Sequence, residues 1–238
     1  MNSQPDARFE TLVIDVCQLY HDAAGWAQQF VRVLSTDEMT GVQALERKHP
    51  TLTMTPGQAE RREAESIRHG TLCFIVSRDV ATEQVLPPSC GPTRTEADFV
   101  NHIRGVVASD PKAKQWHFVA DNLNTHCSES LVRYVAAVSG ITADLGVKGK
   151  SGVLQSCRTR SAFLSDTSHK IVFHYTPKHA SWMNQIEIWF SILTRKVLKR
   201  GSFVSVEDLK AKVLAFVAYY NQTMAKPFRW NYGKPLQA

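Results

Sequence analysis

Trp116-His117-Phe118-Val119-Ala120-Asp121 is an apolar, β-prone run that stops on an acid. A second run, Val31-Arg32-Val33-Leu34, reads as a short strand and ends in the same way, at Thr36-Asp37-Glu38. Open α/β sheets collect their ligands beyond the carboxyl ends of their strands, so two strands that each end on a carboxylate point to a common site.

The pattern extends outward from these two runs. Leu72-Cys73-Phe74-Ile75-Val76, Gln84-Val85-Leu86 and Ile171-Val172-Phe173-His174-Tyr175 are further strand candidates, the last stopped by Pro177. Phe9, Leu12, Val13, Val16, Leu19 and Tyr20 recur at helical steps, which predicts an amphipathic helix over residues 6–22. Thr95-Glu96-Ala97-Asp98 caps a helix running to about Ala108, and Ser128 to Val138 is helical. Trp182, Ile186, Trp189, Phe190, Leu193 and Val197 form one stripe of a helix ending at Gly201, and Val206 to Tyr220 makes the last. Strands alternating with helices imply an α/β layer structure with partly parallel strands.

Composition excludes several classes. With 43% hydrophobic and 21% charged residues among 238, the chain is neither disordered nor fibrous, and it can bury a core. Its longest apolar run, Val213 to Tyr220, is far short of the roughly 20 residues of a membrane span. The start lacks a secretory pattern, so the expected compartment is reducing. Cys17, Cys73, Cys90, Cys127 and Cys157 fit this, giving neither a disulfide ladder nor the paired spacing of structural zinc. Charge is uneven: residues 1–100 hold 9 Lys+Arg against 14 Asp+Glu, and residues 101–238 hold 19 against 8. A basic C-terminal half suits a polyanionic partner, and equally an ordinary solvated face.

Asp37 and Asp121 have a third candidate partner in Glu187, which shares a helix with Asn184, Ser191 and the packing residues Ile186 and Trp189. Three converging carboxylates suit hard divalent cations, which prefer oxygen ligands. Two ions roughly 3.5 to 4 Å apart activate the attacking oxygen and stabilise the leaving one in phosphoryl displacement. Each acid alone is more often a turn or cap residue.

Four stretches carry a resemblance. Ser35-Thr36-Asp37-Glu38-Met39-Thr40, Arg68-His69-Gly70-Thr71, Val119-Ala120-Asp121-Asn122-Leu123-Asn124-Thr125-His126, and Thr176 through Phe190 with its core Ser181-Trp182-Met183-Asn184-Gln185-Ile186-Glu187 resemble the signature stretches of the bacterial insertion-sequence 630 transposases of the Tc/mariner superfamily. The likeness continues through Leu193-Thr194-Arg195-Lys196 to Lys226-Pro227-Phe228-Arg229-Trp230.

The resemblance implies a ribonuclease H-like α/β fold, a mixed central sheet flanked by helices. It places the catalytic and metal-binding triad on Asp37, Asp121 and Glu187, served by two Mg²⁺ ions or by Mn²⁺ in their place. It also implies double-stranded DNA as partner, both transposon ends and target. Ends are cut by hydrolysis, and the freed 3′ hydroxyl is joined to target DNA, usually at TA. A dimer on DNA and a nucleoid-associated place in the bacterial cytoplasm follow from the same likeness.

The expected organisation is a helical lead-in over 1–29, a catalytic domain over 30–225 with an insertion at about 140–166, and a tail over 226–238. The insertion is inferred because Asp121 and Glu187 stand 66 positions apart, against a family spacing near half that. Full-length members carry helix-turn-helix modules upstream; here some thirty residues precede the first catalytic strand, so the chain resembles the catalytic domain alone or a truncated copy.

The remaining signals are weaker. Gly149-Lys150-Ser151 fails the P-loop pattern because residue 144 is Asp144, and reads as a flexible basic loop in which Lys148 and Lys150 face a DNA backbone. His169, His174 and His179 share no face and are not a zinc site. His126 matches a family histidine that orients phosphate or a carboxylate, and is as readily an ordinary loop histidine. Asn122 and Asn184 either hold a carboxylate or cap a turn. Glu38 rivals Asp37, since neighbours on a strand point to opposite faces. Arg195, Lys196, Lys199 and Arg200, with Lys178, either contact phosphates or, for the helix cluster, suit the helix dipole. Trp182 and Trp189 read as core. The rival functions are a nuclease that cannot join strands and a silent DNA-binding remnant.

Overall fold

Val31–Arg47 forms β1, Ser66–Asp79 β2, Ser89–Gly91 β3, Gln115–Ala120 β4 and Ile171–Tyr175 β5. The computed structural model describes residues 9–49, 54–58, 65–178, 180–227 and 230. The strands make one sheet in the order β3-β2-β1-β4-β5. β1, β4 and β5 run parallel, while β2 is antiparallel to both β1 and β3. This is a mixed sheet, and among the described residues six α-helices flank it: α1 (Phe9–Gln28), α2 (Glu96–Ala108), α3 (Glu129–Val138), α4 (Cys157–Leu164), α5 (Ile186–Leu193) and α6 (Val206–Thr223).

Strand alternation divides the core. Leu34, Ile75, Phe118 and Phe173 face α2, α3 and α4. Val33 and Val119 turn the other way, beneath α1, and Phe74 and Val76 likewise meet α5 and α6. Each fully buried side chain of this size contributes about 1.5–3 kcal/mol. The predicted cap of α2 is present as a reciprocal pair between Thr95 and Asp98, and Ser128 caps α3. Among the described residues no helix is long and apolar enough to cross a membrane.

Several expectations need correction. β1 does not stop at Asp37; it continues ten residues as a hairpin with β2, which supplies ladder partners where β4 ends. Gly41, at φ +64, marks a register shift between Met39 and Val42, and that bulge breaks the alternation by which a long strand is recognised. Gln84-Val85-Leu86 makes a single bridge from Val85 to Arg78, and the strand that pairs with β2 is Ser89–Gly91, after the two prolines. The expected helix from Trp182 to Gly201 is three pieces: a 3-10 turn over Ser181–Met183, α5, and a π-helical turn over Thr194–Leu198. Trp182 therefore leaves the stripe and is 50% exposed, whereas Trp189 is buried as expected.

The segment read as an insertion is packed. Leu154 and Leu164 lie wholly within the core, and Leu154 N–H closes the Leu145–Leu154 loop on the Leu145 carbonyl at 3.0 Å. Hydrogen bonds across the loop, such as Val147 N–H to Ser151 O at 3.2 Å, replace the flexible coil expected there. Cys127 and Cys157, which the cysteine spacing did not single out, are joined as a disulfide; it ties the start of α4 to the segment after β4. Residues 6–8 of the predicted first helix, His179 and Phe228-Arg229 lie outside the described residues.

Burial also sets an acid limit on the fold. His102 of α2 is 2% exposed and bonds Ser77 Oγ at 2.9 Å and Ser89 Oγ at 3.0 Å, and burial lowers its pKa to about 4. Unfolded histidine titrates near 6.5. The unfolded chain therefore takes up the proton first, and stability present above about pH 6.5 is lost as pH falls toward 4. Urea unfolding should show the parent losing about 2 kcal/mol more than His102→Gln between pH 7 and 5. Equal losses would place the acid sensitivity elsewhere.

Candidate active site

The site lies where the parallel pairing of β1 and β4 ends. Ser35 is the last β1 residue paired with β4, Asp37 follows two residues later on the same face, and Asp121 is the first residue after β4. Alternation sends Ser35 and Asp37 toward α5, and Thr36 and Glu38 toward α2. Thr36 accordingly meets Ser77 Oγ at 2.8 Å, which in turn bonds His102 of α2.

Asp37 is 8% exposed. Its Oδ1 accepts the Glu38 N–H at 2.8 Å, and its Oδ2 accepts Asn184 Nδ2 at 3.2 Å. Burial, with the charge of Asp121 adding to it, pushes its carboxyl up to about 7. Glu187, half-buried on the first turn of α5, is raised for the same two reasons, burial first and then Asp121. Three acids from β1, the end of β4 and α5 thus share one electrostatic neighbourhood.

His126 bridges the two faces. Its Nδ1 lies 2.7 Å from Asp121 Oδ1 and its Nε2 2.9 Å from Glu38 Oε2, with the ring fully buried against Phe99. Burial alone lowers its pKa, but the two carboxylates outweigh that and raise it to about 10, so it is an imidazolium. Asp121 is pulled upward by burial, and the bonds from His126 and the Leu123 N–H hold it below the usual carboxylate range.

Asp37, Asp121 and His126 each present a potential ligand atom, all within 4.8 Å of one another. With both ring nitrogens committed as donors, His126 has no lone pair for a metal. The donors left are carboxylate oxygens, and that set suits a hard divalent cation.

The other predicted positions are distributed as follows. Asn184 is fully buried; its Oδ1 accepts the Ser35 hydroxyl, and its Nδ2 also reaches Thr36 O at 3.1 Å. Asn122 donates to Thr176 O at 2.6 Å, tying the end of β4 to the end of β5. Arg195 and Lys196 lie exposed on the π-helical turn, Lys199 and Arg200 follow it, and Lys178 is exposed before the 3-10 turn. Glu38, the rival of Asp37 in the sequence, points to the opposite face and is the far anchor of His126. The signal was present in strand alternation, but which loop returns to that face is decided by packing.

The profile of the DDE superfamily endonucleases matches residues 32–210. The chain belongs to that family. In this DDE endonuclease the matched region holds all three candidate acids. Its fold is similar to a solved Mos1 mariner paired end complex with Mn, at 15% identity and TM-score 0.53, covering 91% of this chain. A pre-cleavage Mos1 transpososome matches at 15% identity and TM-score 0.51 over the same share. The chain spans 57% of the length of those two proteins. No curated protein matches it in sequence.

Proposed function

We propose that this chain is the catalytic domain of a Tc/mariner-type transposase, of the insertion-sequence 630 kind, which cuts DNA at transposon ends and joins them to target DNA. The observation that carries the reading is Asp37 and Asp121 in ligand reach of each other at one end of the sheet, with Glu187 on the first turn of α5 near enough to feel the charge of Asp121. The three acids are the proposed holders of two Mg²⁺ ions, with Mn²⁺ as substitute. When bound, the ions supply activation of the attacking oxygen and stabilisation of the leaving one.

The chain's own residues prepare that site. Asn184 fixes Asp37 while anchoring the entrance of α5, and His126 holds Asp121 by a charge-assisted bond. In the first reaction a water oxygen bonds to phosphorus, the bond from phosphorus to the 3′ oxygen breaks, and a 3′ hydroxyl is released. In the second that hydroxyl attacks a target phosphate and displaces a target 3′ oxygen. No covalent bond to protein is needed. Lys178, Arg195, Lys196, Lys199 and Arg200 are the proposed phosphate contacts, a sequence-independent attraction. Asn122 serves the end of β4 as a strut. We assign residues 30–225 to this catalytic unit, acting as a dimer on DNA.

The test incubates the purified chain with Mg²⁺ or Mn²⁺, a labelled oligonucleotide ending in a precut 3′ hydroxyl, and plasmid target. Labelled plasmid is expected. Hydrolysis without joined product would favour a nuclease, and DNA binding without either product would favour a silent remnant.

A further inference from the structure

The entrance of α5 is gripped through its backbone on both sides of Gln185. Gln185, two residues before Glu187, gives its carbonyl to Arg78 Nη1 at 2.7 Å and its N–H to the Tyr20 hydroxyl at 3.3 Å. Tyr20 in turn donates to Met183 O at 2.9 Å, and Ser35 Oγ accepts the next N–H, from Ile186, at 2.7 Å. Three elements, α1, β1 and β2, therefore converge on the residues that aim Glu187.

Arg78 is the unexpected member. It is 2% exposed, and a cation beside the first turn of a helix opposes the helix dipole. Its charge is answered by Glu83, 1% exposed, whose carboxylate pairs with Arg78 Nη2. Glu83 sits at φ +65, a left-handed backbone that side-chain-bearing residues seldom adopt. The turn that keeps it there is bonded at Glu83 N–H to Asp79 O and at Asp79 N–H to Gln84 O, both 2.8 Å, and at Thr82 N–H to Asp79 Oδ1, 2.9 Å. Buried ion pairs are poor devices for stability, since well-packed apolar replacements often equal or exceed them. Directional fixing is what this fork supplies: one guanidinium edge on Glu83, another donor on Gln185.

We propose that Arg78 is a positioning residue for Glu187, acting through the Gln185 carbonyl and held in place by Glu83. The proposal rests on the reading of Asp37, Asp121 and Glu187 as a cation site. It concerns how the third acid is set, through the backbone that precedes it.

The test compares the parent, Arg78→Lys, and the double variant Arg78→Met with Glu83→Met by thermal unfolding, by Mn²⁺ titration followed through electron paramagnetic resonance, and by strand cutting. The double variant is expected to unfold within a few degrees of the parent. Its Mn²⁺ dissociation constant should rise about tenfold, with turnover falling similarly at unchanged DNA affinity. Arg78→Lys keeps the charge beside Glu83 and gives up the fork, so its Mn²⁺ affinity falls too. Parental Mn²⁺ affinity in a folded double variant or in Arg78→Lys would overturn the inference alone. A parent that neither binds Mn²⁺ nor cuts would overturn the cation-site reading, and this inference with it.

Discussion

Asp37→Asn is expected to slow metal-dependent strand cutting by about a thousandfold or more while leaving the fold at least as stable as the parent. Losing one anionic ligand forfeits several kcal/mol of charge stabilisation in the transition state, and about 4 kcal/mol corresponds to that factor. Stability moves the other way. Asp37 is buried, is repelled by Asp121, and among the described residues has no cationic side chain bonded to it. Neutralising it relieves about 4 kcal/mol at pH 8, from which about 1 kcal/mol is lost with the Asn184 bond. The net gain raises the midpoint by about 6–12 °C without divalent ions. Added Mn²⁺ should then stabilise the parent by mass action and leave the variant unmoved. Calorimetry and a cutting assay on the same preparations check both halves, and a variant that cuts within tenfold of the parent would remove Asp37 from the chemistry.

This opposition of activity and stability bears on what was legible beforehand. Asp121 could be read because an apolar strand runs straight into it; alternation left Asp37 and Glu38 as rivals, and the resemblance chose Asp37. Glu187 was placed by resemblance; its own helix starts later than the apolar stripe suggested, since Trp182 belongs to the turn before α5. The partners of these acids were less visible. Arg78 meets Gln185 across 107 positions, and Ser35 meets Asn184 across 149, contacts decided by how α5 docks on β1 and β2. Glu83 was hidden for another reason: a left-handed glutamate carries no signal in composition or period. The Cys127–Cys157 pairing was missed because spacing rules address local pairs, and this one depends on where the segment after β4 returns against α4. Local pattern reveals where chemistry-bearing side chains leave the sheet; packing decides what holds them.

His126→Ala should be the most destabilising single change in the site, costing about 3–5 kcal/mol. The imidazolium lies wholly buried between Glu38, whose side chain is 1% exposed, and Asp121. Its removal leaves Glu38 charged in the core without a counter-ion, and opens a void beside Phe99, whose ring centroid lies 4.4 Å from that of His126. Folded domains have only about 5–15 kcal/mol in hand, so the variant sits near its limit. The cause can be isolated by a cycle. If the penalty comes from the orphaned carboxylate, Glu38→Gln combined with His126→Ala should cost less than the two single changes together, by about 1–3 kcal/mol. Additive losses in urea unfolding would instead assign the effect to the void. Asp121 also loses the bond that orients it, so Mn²⁺ affinity should fall by about 10–100-fold in His126→Ala. Glu38→Gln, which leaves the histidine on Asp121, should fall less. That ordering follows from the bridge itself: the Asp121 contact sets the site, and the Glu38 contact sets the charge that makes it strong.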